Sequence, residues 1–290
     1  MINAPYFSII IPTYNRAKVL PNAINSVLTQ RFENWELLVV DDGSTDNTSA
    51  IVEEFKDERV RYIYQENAER SAARNNGIRN AKGKFICFLD SDDQFDENHL
   101  SGLHTCIKEN NENDYLYVVH ALAINASNGA REKLEIKIGS NDLETILLNS
   151  ITPGQFVASL EALQRHKFNE KIRISEDTEI LVRLMQDLEL KFVNQYSLQY
   201  FLHEDNSVNT NRYNAFSDRK ETLQTIFKYP ICSRLSVDFK NNLLNNCYFG
   251  IYKYFKAQNR NIKAKSTMLE AILKYPRLRA KEKLYLFLKG

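Results

Sequence analysis

Four cysteines, nine glycines, six prolines and a single tryptophan are all that these residue types contribute to 290 positions. Cys87, Cys106, Cys232 and Cys247 lie far apart with no metal-ligand spacing, so reduced thiols in a cytoplasm are the simplest reading. No apolar run approaches the roughly 20 residues of a membrane-spanning helix. The start, MINAPYFSIII, lacks the basic segment, long apolar stretch and small-residue cleavage site of a signal peptide. The expectation is a soluble protein that at most lies on a membrane surface. There is no Gly-x-Gly-x-x-Gly, which leaves a dinucleotide-binding domain unsupported. GIRNAKGK, starting at Gly77, misses the spacing of a phosphate-binding loop by one residue and places Phe85 where a metal-binding Ser or Thr is needed. No Ser-His-Asp or Cys-His set is legible, nothing matches a nucleic-acid module, and there is no internal repeat or low-complexity segment.

Net charge is nearly absent too, at +1, but this hides a division. Residues 1–213 carry a balance of −10 and residues 214–290 a balance of +11, which suggests an acidic body and a basic tail with different tasks. In the body, apolar runs at 7–11, 36–40, 60–64 and 85–89 read as buried strands, the first stopped by Pro12. Helical spacing fills 19–30, 50–55, 71–81 (closed by Gly83) and 97–108. This alternation predicts an α/β unit with a mostly parallel sheet over about the first 110 residues. Further on, 115–124 and 132–138 read as strands, 143–148 as a helix, 178–188 as a helix capped by Ser175-Glu176-Asp177, and 192–202 as a strand. The stretch 152–168 is ambiguous, and everything from 213 reads as helix.

The stretch KFICFLDSDDQFD, residues 84–96, organises the body. Its apolar run ends abruptly in Asp90-Ser91-Asp92-Asp93. Clustered carboxylates repel one another and resist desolvation; a hard divalent cation, often with a nucleotide diphosphate as co-ligand, resolves both problems. A solvated acidic turn is the simpler alternative. In parallel sheets ligands gather at the carboxyl ends of the strands, so Asp41, at the end of 36–40, should share one crevice with Asp90.

The ordered set SIIIPTYNR (8–16), VVDDGSTDNT (39–48), RSAARNNGIRNAKGKFICFLDSDD (70–93) and SED (175–177) resembles family 2 glycosyltransferases. The likeness is dense over 7–96 and thin beyond. It implies a GT-A fold, Rossmann-like with a mostly parallel sheet and here a helical C-terminal extension. It implies an inverting enzyme that uses a nucleotide-sugar donor, expected to be of the UDP type, with Mn²⁺ or Mg²⁺ as cofactor. Carried over by position, Pro12, Thr13 and Tyr14 form the loop that receives base and ribose, and Asp41 accepts a hydrogen bond from the base. Arg70 and Arg74, one helical turn apart, approach the diphosphate, or else make a surface salt bridge. Asp92 is the expected metal ligand, with Asp90 on the sugar-nucleotide and Asp93 a third candidate. Asp177 corresponds to the catalytic base, with Glu176 competing for that role and helix capping as its plain alternative. His203 is placed near the metal or the diphosphate; His99, His104, His120 and His166 read as ordinary surface or packing residues. Two departures count: Thr178 stands where the family often has an aromatic residue, and no Gln-x-x-Arg-Trp sequence of processive synthases is present. The second, together with the lack of membrane spans to form a translocation channel, argues for addition of a single sugar.

The expected division is a catalytic domain at 1–212, nucleotide-binding over about 1–110 and acceptor-binding over about 111–212, followed by a basic, aromatic helical region at 213–290. In that region Tyr248, Phe249, Tyr252, Tyr254, Phe255, Tyr275, Tyr285 and Phe287 alternate with lysines and arginines. Such a surface suits anionic lipid headgroups, giving peripheral attachment to the inner membrane face and a lipid-linked glycan acceptor. Aromatics packed inward, or a homodimer, are the alternatives. A non-catalytic sugar-nucleotide or glycan-binding protein on the same fold is the rival from another class; the retention of Asp41, Asp90, Asp92 and Asp177 argues against it.

Overall fold

The computed structural model describes residues 4–202 and 212–289. The chain divides into two compact units, Met1–His203 and Glu204–Gly290.

The first unit is built on a sheet of nine strands among the described residues. β1 (Phe7–Thr13), β2 (Trp35–Asp41), β3 (Val60–Tyr64) and β4 (Phe85–Phe88) pair in parallel in the order β3-β2-β1-β4. β1, β2 and β4 are buried along their whole length, as continuous apolar runs in a doubly covered sheet require. β1 does not stop at Pro12. It continues to Thr13, because pairing with β4 ends at Ile10 opposite Phe88 and the missing N–H of Pro12 leaves no ladder bond unmade.

The second half of the sheet is mixed. β6 (Tyr115–Asn125) runs parallel to β9 (Glu189–Leu202) and antiparallel to β7 (Arg131–Leu134) and β8 (Phe156–Ser159). β8 joins the halves by pairing antiparallel with β4, and β5 (Gln94–Phe95) closes the far edge against β9. Six of the nine strands therefore run the same way. The ambiguous stretch 152–168 resolves into a single 3-10 turn at Pro153–Gln155, then β8, then a short helix, and the strand expected at 132–138 is confined to β7.

Helices cover both faces. α1 (Leu20–Leu28), α2 (Thr48–Glu53) and α4 (His99–Glu109) share one core with Phe7, Ile9, Ile11, Leu37, Val39 and Cys87, the alternate residues of the strands. α3 (Glu69–Asn80) packs on the opposite face. It buries small residues, so its backbone lies close to β1: a Cβ on Gly77 would sit 2.4 Å from Ile10 Cγ2. Gly83 does not close α3 in a left-handed turn. The helix ends at an extended Ala81, and Gly83 is needed because a Cβ there would sit 2.4 Å from the Ser8 nitrogen. α5 (Asp142–Leu148), α6 (Leu160–Arg165) and α7 (Glu176–Leu184) complete the unit.

The second unit contains α8 (Arg212–Ile226), α9 (Val237–Ala257), α10 (Asn261–Lys274) and α11 (Ala280–Lys289). The tail aromatics expected at its surface mostly turn inward. Tyr248, Phe249, Tyr252 and Phe255 are buried, and Tyr248, Tyr252 and Phe255 form a core with Ile251, Ala264, Met268 and Ala271. Spaced three and four apart on α9, they make its apolar stripe. Lys283 is buried as well; its Nζ donates to the carbonyls of Ala271 and Tyr275 at the C-terminal end of α10.

Candidate active site

The crevice lies at the carboxyl ends of the strands, where three loops meet. The loop after β1 is stitched to the loop after β2. Asn15, at a left-handed φ of 53°, accepts from the Thr45 N–H with its Oδ1 at 2.8 Å and donates its own N–H to Ser44 Oγ at 2.8 Å. Asp46 accepts from the Ala17 N–H at 3.1 Å. Tyr14 is 49% exposed, whereas Pro12 and Thr13 are buried strand residues.

Asp41 ends β2 and is buried. Its Oδ1 accepts from the Ser44 N–H at 2.8 Å and its Oδ2 from the Tyr62 hydroxyl at 2.7 Å. Burial and the Asp41 charge both raise the Tyr62 phenol above its usual range, so it stays a donor. Asp42 is committed elsewhere, accepting from Gln65 Nε2 at 2.6 Å and the Ala68 N–H at 2.9 Å.

The acidic turn after β4 is braced from α3. Arg74, 2% exposed, donates from Nη2 to Asp90 Oδ1 at 2.8 Å and from Nη1 to Glu176 Oε1 at 3.1 Å. Burial alone would lower its pKa; the charges of Asp90 and Glu176 outweigh that and raise it. Arg70 pairs with the same Glu176 oxygen at 2.8 Å. One residue further on, Asn75 exchanges a pair of hydrogen bonds with the backbone of Phe168, both 2.9 Å. Thus α3 ties the loop that holds Asp90 to the segment that leads into α7. The two arginines form buried or half-buried ion pairs, not a surface salt bridge.

Ser175 takes a left-handed φ of 61° and makes no side-chain cap, so the capping expected of it does not occur. α7 starts at Glu176, which turns inward to the arginines and is 4% exposed. Consecutive helical residues project about 100° apart, so Asp177 faces a different direction from Glu176. It stays half-buried, with Oδ1 accepting from the Thr178 N–H at 2.6 Å.

Tyr200, on β9, lies within electrostatic reach of four carboxylates. Burial first, then the charges of Asp93, Asp90, Asp92 and Asp177, push its phenol up to about 12. Asp93 is buried, and desolvation plus the neighbouring Asp90 and Asp92 hold its carboxyl well above the usual range, even though it accepts from the Phe201 N–H at 3.0 Å. Asp92 is partly exposed, with Arg16 Nη2 3.9 Å from its Oδ2. The carboxylate oxygens of Asp90 and Asp92 suit a hard divalent ion. Among the described residues no group of three or more His, Cys, Asp or Glu side chains is arranged to hold one. His203 lies outside the described residues.

Sequence reasoning missed Tyr62, Asn75 and Tyr200. Asn75 had a signal, following Arg70 and Arg74 along one helix; Tyr62 and Tyr200 had none, since only the pairing of β3 with β2 and the position of β9 bring them in.

A family profile described as Glycosyl transferase family 2 matches residues 8–167. The chain is 35% identical over 181 residues to an uncharacterized glycosyltransferase of Rickettsia conorii; this covers 61% of the chain but 30% of that relative, so the chain spans less than a third of it. It is 30% identical over 249 residues to the Escherichia coli UDP-Glc:alpha-D-GlcNAc-diphosphoundecaprenol beta-1,3-glucosyltransferase WfgD, covering 85% of the chain and 94% of that relative. Among solved structures, S. aureus TarS 1-349 in complex with UDP-GlcNAc superposes with a TM-score of 0.68 over 92% of this chain and 80% of that one, at 18% identity. That likeness is one of fold, and the fold is GT-A.

Proposed function

The chain belongs to glycosyl transferase family 2, and from that premise we propose that it moves one sugar from a UDP-linked donor to an acceptor hydroxyl, with inversion at the anomeric carbon. The observation behind this reading is the bracing of Asp90, at the carboxyl end of β4, through Arg74 to Glu176 at the start of α7, the helix whose next residue is Asp177. A binding module would need the carboxylates on the donor side but no base opposite them.

In this reading Tyr14 stacks on the base at the mouth of the crevice, and Pro12 and Thr13 shape the wall behind it. Asp41, held by Ser44 and Tyr62, accepts the ring N–H of uracil with a remaining lone pair. Asp90 receives the ribose. Arg70, the more exposed of the two arginines, lies nearer the diphosphate, while Arg74 holds Asp90 and Glu176 in place. Asp92, with His203 as a further candidate, would hold Mn²⁺ or Mg²⁺, which when bound supplies positive charge to the leaving diphosphate. Asp177 takes the acceptor hydroxyl proton as that oxygen bonds to the anomeric carbon; the sugar–phosphate bond breaks and its electron pair leaves with UDP. Glu176 is engaged by two arginines and is left out of that role.

The acceptor we propose is a lipid-linked glycan, in the assembly of a surface glycan or polysaccharide. The diphosphoundecaprenol in the name of the E. coli relative supports this class. It would bring the protein to the inner face of a membrane, although no described helix is long and apolar enough to cross one. Calorimetric titration with UDP, GDP and CMP, each with and without Mn²⁺, tests the donor reading. Manganese-dependent binding of UDP alone is expected. Preference for GDP would move the donor class, and a folded protein that binds none of the three would contradict the reading.

A further inference from the structure

The inward packing of the tail aromatics leaves a different set of apolar residues outside. On α10, Ile262, Leu269 and Leu273 are 86%, 43% and 73% exposed. Spaced seven and four residues apart, they line the side of the helix opposite Ala264, Met268 and Ala271, which face the core. On α11, Leu284, Tyr285 and Leu288 are 53%, 54% and 67% exposed, while Lys283 turns inward. Six large apolar side chains are thus exposed on two short helices that pack against each other, more than the scattered single residues normal for a surface.

The charges around them identify the occupant. From 261 to 290 the chain has eight basic and two acidic residues. Both acids are matched, Glu270 by Lys274 at 2.8 Å and Glu282 by Arg279 at 2.6 Å. Lys265, Arg277 and Lys281 have no ion pair among the described residues. An isologous contact with a second copy of this chain would bring the same positive field against itself, whereas an anionic bilayer complements both the charge and the apolar stripe. We propose that Ile262, Leu269 and Leu273 on α10, with Leu284, Tyr285 and Leu288 on α11, are a docking face for an anionic phospholipid bilayer. This deepens the proposed lipid-linked acceptor: the face would hold the enzyme at the surface where that acceptor resides.

The test is flotation of the full chain with vesicles of phosphatidylglycerol and phosphatidylcholine, against phosphatidylcholine alone. Flotation is expected only with the anionic vesicles, falling roughly tenfold as salt rises from about 0.05 to about 0.5 M. The triple variant Ile262→Ser, Leu273→Ser, Leu288→Ser should lose most of it with an unchanged melting temperature, because these side chains make little of the core. The double variant Lys265→Glu, Lys281→Glu should weaken it with the apolar residues intact. Failure of the wild type to float, equal flotation of the triple variant, or a wild-type dimer that the triple variant dissociates would each overturn the proposal. UDP titration of the same preparations keeps the questions apart: lost flotation with intact UDP binding removes only the bilayer contact, and flotation without UDP binding removes only the donor reading.

Discussion

Arg74 has no solvent of its own and two carboxylates that depend on it. Removing one member of a buried ionic set strands the others in a low dielectric, which costs more than the set contributes while intact. Arg74→Met should therefore lower unfolding free energy by about 3 kcal/mol in urea titrations, and it should reduce turnover by releasing both Asp90 and Glu176. A change in turnover with no change in stability would mean that Arg74 acts on substrate and not as a brace. His99 makes a distinct contribution to the pH dependence. It is fully buried between α4 and β9, bonded to Ser197 Oγ at 2.8 Å, and burial pushes its pKa down to about 3. The unfolded imidazole binds a proton below its ordinary value of about 6.5 and the folded one does not. The His99 contribution to stability should accordingly fall by about 1.4 kcal/mol per pH unit on acidification below about 6.5, opposed by Asp93, whose raised carboxyl takes up its proton earlier in the folded state than in the unfolded one. His99→Asn should flatten that limb; an identical pH profile in the variant would contradict the assignment. Residue identity was the most legible part of the site: the carboxylates stand in order along the chain, Asp41 and Asp90 each at the end of an apolar run and Asp177 at a helix start. Their partners were not legible, because Tyr62 and Tyr200 are positioned by pairing between distant strands.

At the scale of elements, α3 does the most to assemble the crevice. Its sheet-facing side is made of small residues, and its other contacts hold the segment before α7. Gly77→Ala would press a methyl group against Ile10 at 2.4 Å and force the helix outward. Overpacking of this kind costs about 1–3 kcal/mol, and here the shift would reach Arg74 and the site, so both melting temperature and UDP affinity should drop. Retained affinity with a lowered melting temperature would show that the brace tolerates movement of its helix. The helices other than α6, and the four parallel strands, were readable from helical spacing or from continuous apolar runs that extend past the paired residues. β5 and β8 were not, at two and four residues, and neither was the mixed pairing they create. Pro12 misled for a local reason: proline breaks a strand only where its missing N–H had a ladder partner.

At the scale of the whole molecule, the division of charge seen in the sequence follows the two compact units, an acidic one with the carboxylate crevice and a basic helical one. Composition alone could not tell which tail residues meet solvent, since tyrosine and phenylalanine serve equally well in a small core. The account rests most on Asp177, which alone distinguishes a transferase from a binder on the same fold. The direct measurement is transfer from a UDP-sugar to a polyprenyl-diphosphate-linked glycan by the wild type and by Asp177→Asn, with UDP binding measured on the same preparations. Loss of the base should reduce transfer by about 10²–10⁴-fold and leave UDP affinity unchanged. Full turnover by Asp177→Asn would contradict the account.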